Sequence, residues 1–361
     1  MSQLTFDGTQ GLTFPDGTQI QSANSLGMRN RIINGAMVIA QRGTSATWSA
    51  GNTFCVDRFR TGSNVGWGSG VISATQSTNA PTGFTNSLGL TVSTADTLGG
   101  SNSYILVQPI EANNIADLGQ GASWAKSFTL SFWVYSSLTG TFSGQLESNG
   151  STSRSWFFTY SIPVANTWTY VTTTVTGDTG GTANWLTGTS VGMYVRWSLG
   201  CSSAYCTGTT GSWINNSTGY DGVTGQVNLI ATSGATFYIT GVQLEKGLSA
   251  TPFEYRHYGT ELALCQRYYA SITGGVQTIY QDAYALSSNY IVAAFTNPVQ
   301  MRTSPTAAVV GTFYGYNLTA STPDAFFAGT QTTTLQWTVS ATGRAVAYNN
   351  ANSGYSLSAE L

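Results

Sequence analysis

The chain offers fifteen acidic residues, one histidine and four cysteines with which to do chemistry. Cleavage of a glycosidic bond needs two carboxyl groups held roughly 5–10 Å apart, and no string of acids points to such a pair. Glu245 and Glu254 lie beside Lys246 and Arg256 and read as caps or ion-pair partners. Asp57, next to Arg58, reads as pairing at a strand end. Asp178 and Asp221 stand in glycine-rich turns, where aspartate bonds the backbone. His257 is the single imidazole and follows Arg256 in a linker, a position that suits an interface better than catalysis. No phosphate loop and no His-x-x-x-His pair occurs. The expectation is therefore a chain with no catalytic residues, although folding or subunit contact could still assemble a carboxylate pair. Four residues separate Cys201 from Cys206 in a Gly/Ser/Thr loop, and a local disulfide and two free thiols both fit. With one histidine and no second close pair of cysteines, neither a zinc site nor another cofactor is expected.

Aromatic residues are the richer resource, at 12% of the chain. Sugar rings present C–H faces that stack on aromatic rings, while amide and carboxylate groups bond their hydroxyls. Two places combine these ingredients outside the strands. One is the loop with Trp213, Asn215, Tyr220 and Asp221; the other is the C-terminal stretch with Tyr314, Tyr316, Asp324 and Phe326. These eight are the candidate carbohydrate or receptor contacts. The alternatives are a loop aromatic folded back as a plug and, in the C-terminal stretch, packing between subunits.

The elements that would position these residues are strands. Phe128, Leu130, Phe132 and Val134 form one apolar face, with Thr129, Ser131, Trp133 and Tyr135 on the other. The same period-two texture marks 71–75, 88–93, 104–108, 170–175, 191–197, 227–230 and 235–240, with Gly, Asn and Pro between them. Eight strands in this span predict a two-sheet jelly roll. A helix is expected at about 260–270, capped by Thr260 and with Glu261 at the positive end of its dipole. Strands resume at 291–295, 306–310, 334–339 and 345–348, enough for a second, smaller β-sandwich. The organisation expected is an arm at 1–27, a jelly-roll-like domain at 28–256, a linker helix at 257–271 and a C-terminal β-sandwich at 272–361. In the arm, Asp7-Gly8 and Asp16-Gly17 signal tight turns.

Composition narrows the function classes. Only 8% of residues are charged, against roughly 25% in ordinary globular chains. The surface must therefore be solvated by Ser, Thr, Asn, Gln and Gly. A net charge of −2 with two lysines among thirteen basic residues argues against nucleic-acid binding. No apolar run reaches the length of a membrane span, so no membrane insertion is expected. Residues 1–7 have neither the basic start nor the apolar core of a secretory signal. The expectation is a protein made in a cytoplasm without a signal peptide and released by lysis.

Three strings carry a family resemblance. Residues Phe237-Tyr238-Ile239-Thr240-Gly241-Val242-Gln243-Leu244-Glu245-Lys246-Gly247 run on through Thr251-Pro252-Phe253-Glu254-Tyr255-Arg256 to a short helix at Leu262. Residues 29–43 open the first domain, followed by Phe54-Cys55-Val56-Asp57-Arg58-Phe59, and the chain closes on Ala359-Glu360-Leu361. Together these strings resemble bacteriophage tail-fibre and related virion adhesion proteins. The resemblance implies a homotrimer located in the virion tail. Residues 1–27 would attach it to tail or baseplate proteins, the jelly roll would resemble a carbohydrate-binding module, and the C-terminal tip would meet host surface polysaccharide. A glycan-depolymerising tailspike is the enzymatic alternative, although the long β-helical repeats of such enzymes are missing. A structural decoration or connector protein is the third reading.

Overall fold

The structure is a computed structural model that describes residues 28–285 and 290–361 and, within the first 27 residues, three short strands. These are β1 (Thr5–Asp7), β2 (Gly11–Thr13) and β3 (Gln19–Ile20), paired antiparallel in the order β1-β2-β3. The expected attachment arm otherwise lies outside the described residues.

Twelve strands follow: β4 (Ser45–Trp48), β5 (Arg60–Gly62), β6 (Val71–Ser77), β7 (Ser87–Thr94), β8 (Ser103–Glu111), β9 (Phe128–Ser136), β10 (Gly140–Glu147), β11 (Arg154–Ile162), β12 (Thr169–Val175), β13 (Val191–Cys201), β14 (Trp213–Asn215) and β15 (Thr236–Lys246). They form two six-stranded sheets. The front sheet runs β14-β11-β10-β13-β8-β5 and the back sheet β12-β9-β15-β7-β6-β4. Every ladder within them is antiparallel. The expected all-β sandwich is present. Strand β9 shows why the sheets close on each other: Phe128, Leu130, Phe132 and Val134 are fully buried. They meet Phe142, Leu146, Phe158 and Trp197 of the front sheet in one core. Phe132 packs edge-on against both Tyr160 and Trp197, at 5.4 and 5.6 Å between ring centroids.

Residues 227–230, expected as a strand, instead lead into a 3-10 turn at Leu229–Ala231. Leu229 and Ile230 are both buried. Ile230 fits against Gly70 and Gly200, where a Cβ would meet it at 2.8 and 2.7 Å. The apolar run here plugs one end of the core instead of lengthening a sheet.

Helix α1 spans Tyr258–Gln266, starting ahead of the expected Thr260 cap. His257 stands at its N-cap and makes no side-chain cap bond, and Glu261 lies in the first turn. Glu261 is buried, where it receives the Asn34 amide and the Arg256 guanidinium, so it also anchors the helix to the opening of the chain. Nine strands complete the chain: β16 (Tyr269–Gly274), β17 (Tyr280–Ala285), β18 (Tyr290–Thr296), β19 (Thr306–Val310), β20 (Phe313–Tyr316), β21 (Ala325–Ala328), β22 (Thr332–Thr338), β23 (Gly343–Asn349) and β24 (Ser353–Ser358). They build the smaller all-β unit from three three-stranded sheets, β16-β24-β19, β17-β23-β20 and β18-β22-β21. Trp337, Phe313, Leu335, Tyr355 and Leu357 fill its core.

Polar contacts join this unit to the sandwich. Arg267 grips Glu111 at the end of β8 with two bonds of 2.9 and 2.7 Å, and the Tyr268 hydroxyl adds a third at 2.7 Å. Glu360 pairs with Arg58 and Arg42. No described helix is long and apolar enough to cross a membrane.

Candidate functional site

The outer face of the back sheet carries a row of aromatic side chains. Alternation along β9 that buries Phe132 and Val134 turns Trp133 and Tyr135 outward, and both are half-buried. Tyr170 of β12 stands opposite Trp133, with ring centroids 5.1 Å apart. Tyr238 of β15 stands opposite Tyr135 at 5.3 Å, and Trp168, just before β12, closes on Tyr135 at 5.6 Å. Cross-strand aromatic pairs stabilise the sheet, yet here they leave ring surface in solvent. Tyr170 is 45% exposed.

The motif 237–256 supplies the facing wall. Strand β15 bulges between Thr240 and Gln243, and Gly241 within the bulge has φ +62°. A Cβ there would lie 2.7 Å from Phe84 Cζ and 3.0 Å from Trp133 Cδ1. Glycine thus lets two aromatic groups approach one backbone turn. Beyond the strand the chain folds back, setting Phe253 against Phe84 at 5.1 Å and Tyr255 against Phe253 at 4.9 Å. Between the walls lies a groove of about 470 Å³ with Ser131, Gly241, Thr251 and Pro252 also lining it. Tyr255 is 60% exposed, with its hydroxyl donating to the Gly83 carbonyl at 2.6 Å.

The two glutamates of the motif hold this wall. Glu245 accepts from the Thr251 amide and hydroxyl at 2.8 and 2.6 Å. Glu254 accepts from the Asn30 amide at 2.8 Å and pairs with Arg256 at 3.2 Å. The expected ion pair between Glu245 and Lys246 is not formed; Lys246 reaches Asp117 at 3.5 Å, and Arg29 lies 4.0 Å from Glu245. Both acids position backbone, and the groove lining contains no carboxylate. Its chemistry is stacking, with hydroxyl and carbonyl groups at the floor.

The loop candidates from the sequence face elsewhere. Trp213 is half-buried against Trp156 and Trp185, at 5.9 and 5.4 Å, and its indole donates to the Thr176 carbonyl at 2.7 Å. It is a plug. Asn215 is exposed and accepts from Arg154 at 2.8 Å. Tyr220 is half-buried in a turn closed by Asn216, which accepts from its amide at 2.8 Å. Asp221 is 2% exposed, receiving Ser103 and the Asn64 amide, and lying 3.9 Å from Arg196. It is therefore out of a ligand's reach. Cys201 and Cys206 form a disulfide at the base of this loop, with Cα atoms 5.7 Å apart. Arg196 also pairs with Glu147, which is buried too. Burial pushes the carboxyls of Glu147 and Asp221 above their ordinary values, against the pull of Arg196.

In the C-terminal unit the candidates remain accessible. Tyr314 and Tyr316 are 45% and 70% exposed and project from β20. Tyr314 stands opposite Tyr348, which stands opposite Tyr280, so three tyrosines cross one sheet. Asp324 is exposed and accepts from the Thr338 amide. Phe326 is half-buried against Tyr355. The groove aromatics Phe84, Trp133, Tyr170, Phe253 and Tyr255 are absent from the sequence candidates. For Trp133 and Tyr170 the signal is an aromatic residue at an outward strand position; Phe84, Phe253 and Tyr255 lie in connecting segments and carry no such signal. Gly188-Thr189-Ser190-Val191-Gly192 spells the Gly-x-Ser-x-Gly of a nucleophile elbow. The string runs from a turn into β13, with no helix after it, and so lacks the strand–turn–helix context of that motif.

No protein-family model matches the chain, and no curated protein matches it. Among solved structures it is similar to the enzymatically active domain of tailspike protein 4 from bacteriophage CBA120, at 14% identity and TM-score 0.31, over 60% of this chain and 21% of that one. It is also similar to a family 11 carbohydrate-binding module of a Clostridium thermocellum cellulosomal cellulase, at 11% identity and TM-score 0.28, over 59% and 91% of the two chains. A third likeness is to the CBM22-1 xylan-binding domain of Paenibacillus barcinonensis Xyn10C, at 9% identity and TM-score 0.28, over 50% and 83%.

Proposed function

We propose that this chain is a glycan-binding adhesion protein of a phage virion and that the groove on the back sheet holds the sugar. The observation that carries the glycan reading is the pair of facing aromatic walls, Trp133 with Tyr170 and Phe84 with Phe253, which leave ring faces open above a floor where glycine excludes any side chain. Such walls favour the C–H faces of pyranose rings, and the uncharged lining favours a neutral sugar. The virion reading is supported by the resemblance of the 237–256 and 29–59 strings to tail-fibre proteins. In that reading residues 1–27 attach to the tail, three chains assemble, and many weak contacts add up on a glycan-coated host cell. Binding proceeds without turnover: the groove has no carboxylate, and the glutamates beside it hold backbone.

The test is binding of the purified, fluorescently labelled chain to host cells, with competition by their surface polysaccharide, alongside its mass in solution. Trp133→Ala and Tyr170→Ala should each weaken polysaccharide binding about tenfold, the scale of losing one well-placed aromatic contact. Unchanged binding in both folded variants would remove the groove from the proposal. Reducing sugar released from the polysaccharide would overturn the reading without turnover.

A further inference from the structure

The front sheet has a cleft of its own, on the opposite face of the sandwich from the groove and of opposite character. A line of outward side chains crosses its strands: Arg60 stands opposite Val107, Val107 opposite Arg196, and Arg196 opposite Gln145. Above this line opens a cleft of about 470 Å³, lined by Arg60, Arg196, Tyr194, Trp67 and Asn149, with the buried Glu147 also in its wall. Its two arginines differ in one respect. Arg196 is balanced by Glu147 and Asp221. Arg60 has no carboxylate partner among the described residues. Its Nη1 is held by the Asn52 side chain at 2.6 Å and the Thr61 carbonyl at 3.0 Å, while its Nε is buried without a partner. In a chain so poor in charge, ten of the other basic side chains sit within 4.0 Å of an acid. Burial lowers the Arg60 pKa from its ordinary value, and the positive charge of nearby Arg196 adds to that effect.

The carboxylate in the wall, Glu147, is taken by Arg196, so Arg60 is a half-buried guanidinium with no acid of its own, and such a group is a site for an anion. The rest of the lining narrows which anion. Tyr194 lies under both guanidinium groups, 4.5 Å from Arg196 and 5.9 Å from Arg60, and presents an aromatic surface. Trp67 is fixed on Tyr104 at 4.5 Å, with its indole donating to the Gly70 carbonyl. Asn149 adds an exposed amide that suits a hydroxyl group, while the Asn64 amide donates to Glu147 at 3.2 Å. We propose that this cleft binds a sugar that bears a carboxylate, with the carboxylate on Arg60 and the ring between Tyr194 and Trp67. The proposal does not rest on the back-sheet groove, which it leaves to neutral sugar units.

The experiment measures affinity of the full chain for polygalacturonate oligosaccharides, for the same oligosaccharides methyl-esterified, and for dextran sulfate. Arg60→Gln should weaken polygalacturonate binding about tenfold or more, the scale of a lost charge-assisted bond. Methyl esterification should do the same to the unmodified chain. Asn149→Trp, which blocks the cleft at its exposed rim and leaves Arg60 in place, should also abolish binding, so the test survives if Arg60→Gln fails to fold. Trp133→Ala, on the other face, should leave polygalacturonate affinity unchanged, which separates failure here from failure of the groove. Undetectable binding of polygalacturonate, equal affinity for the ester, or equal affinity in Asn149→Trp overturns the proposal. Arg60-dependent binding of dextran sulfate alone overturns its carboxylate.

Discussion

The two outer faces of the sandwich are built from strands of the same texture and end up as opposite surfaces. On the back sheet, the positions between core residues hold Trp133, Tyr135, Tyr170 and Tyr238, and nothing covers them completely. On the front sheet, the equivalent positions hold Gln145, Glu147, Arg196 and Ser198, and these polar groups are the buried ones. The loop from Cys201 to Asn228 folds over part of them, passing Gly208 across the Phe157 ring. One face leaves aromatic surface wet, while the other takes charge out of water and satisfies it internally. Alternation therefore says which side of a strand faces the core. Whether the other side meets water depends on where the loops go.

Charge burial makes the front face the more fragile. Arg196→Met would leave Glu147 and Asp221 buried without their shared cation. Breaking such a cluster from one side costs about 3–5 kcal/mol, to be read as a lower midpoint in urea unfolding. A loss below about 1 kcal/mol would mean that water reaches both carboxylates and that the two faces differ less than their burial suggests.

The front face also contains two carboxylate environments of opposite sign. At Glu111, burial opposes ionisation, but bonds from Arg267 and Tyr268 outweigh it and hold the carboxyl below its ordinary 4.5. Its stabilising effect is complete above that value and is lost as pH falls through the lower folded one. Glu147 and Asp221 are raised by burial, so their folded forms bind protons more readily than the unfolded chain. Their contribution declines as pH rises from the ordinary values of 4.5 and 3.8 through the folded ones. Glu111→Gln should cost about 2 kcal/mol at neutral pH, the range for bonds to a charged group. It should also remove the acid-side loosening of residues 267–268 from the sandwich, followed by hydrogen exchange at those amides. Persistence of the loosening in the variant would assign it to the Glu360 pairs with Arg42 and Arg58.

On the back face the expected effects are smaller and fall on shape. Gly241→Ala places a methyl at positive φ and against Phe84 and Trp133. Strain of that kind costs about 1–2 kcal/mol, and the methyl fills the groove floor, so glycan affinity should fall together with stability. A variant that loses stability and keeps full affinity would show that the sugar does not reach the bulge.

The β-strands were readable because each carries its own signal over a few residues. Phe128 to Tyr135 announces one apolar face, and β9 buries it, although on the other face Thr129 and Ser131 are buried too and only Trp133 and Tyr135 reach solvent in part. The groove was not readable in the same way. Its walls come from the segment before β7, from β9, from the start of β12, from the β15 bulge and from the fold-back after it, and only sheet register brings them together. The loop reading of Trp213 and Asp221 failed for the complementary reason. A loop rich in Gly, Ser and Asn looks exposed in sequence, but this one is anchored at Cys201–Cys206 and stitched inward through Asp221. Trp213 fills the space between Trp156 and Trp185 because the edge strand β14 carries it there. The fold-back motif is visible as a string; Glu254 makes an ion pair with Arg256 as its spacing suggests, whereas Glu245 bonds Thr251 in place of Lys246.

The C-terminal unit gives the smallest expected stability effect and the sharpest contrast with the loop. Tyr316 is 70% exposed and stands on the same sheet face as the row Tyr280, Tyr348 and Tyr314. Removing so exposed a ring changes stability by less than about 0.5 kcal/mol. Any large effect of Tyr316→Ala must then lie in contact with something outside this chain. Reduced labelling of host cells with unchanged mass in solution would place a glycan or receptor on this face, as proposed for Tyr314 and Tyr316 from sequence. A fall in mass, with labelling lost in proportion, would place a second copy of the chain there, leaving sugar contact to the sandwich. If both measurements are unchanged, the tyrosine row is only a well-paired sheet surface, and the search for host contact narrows to the groove and the Arg60 cleft.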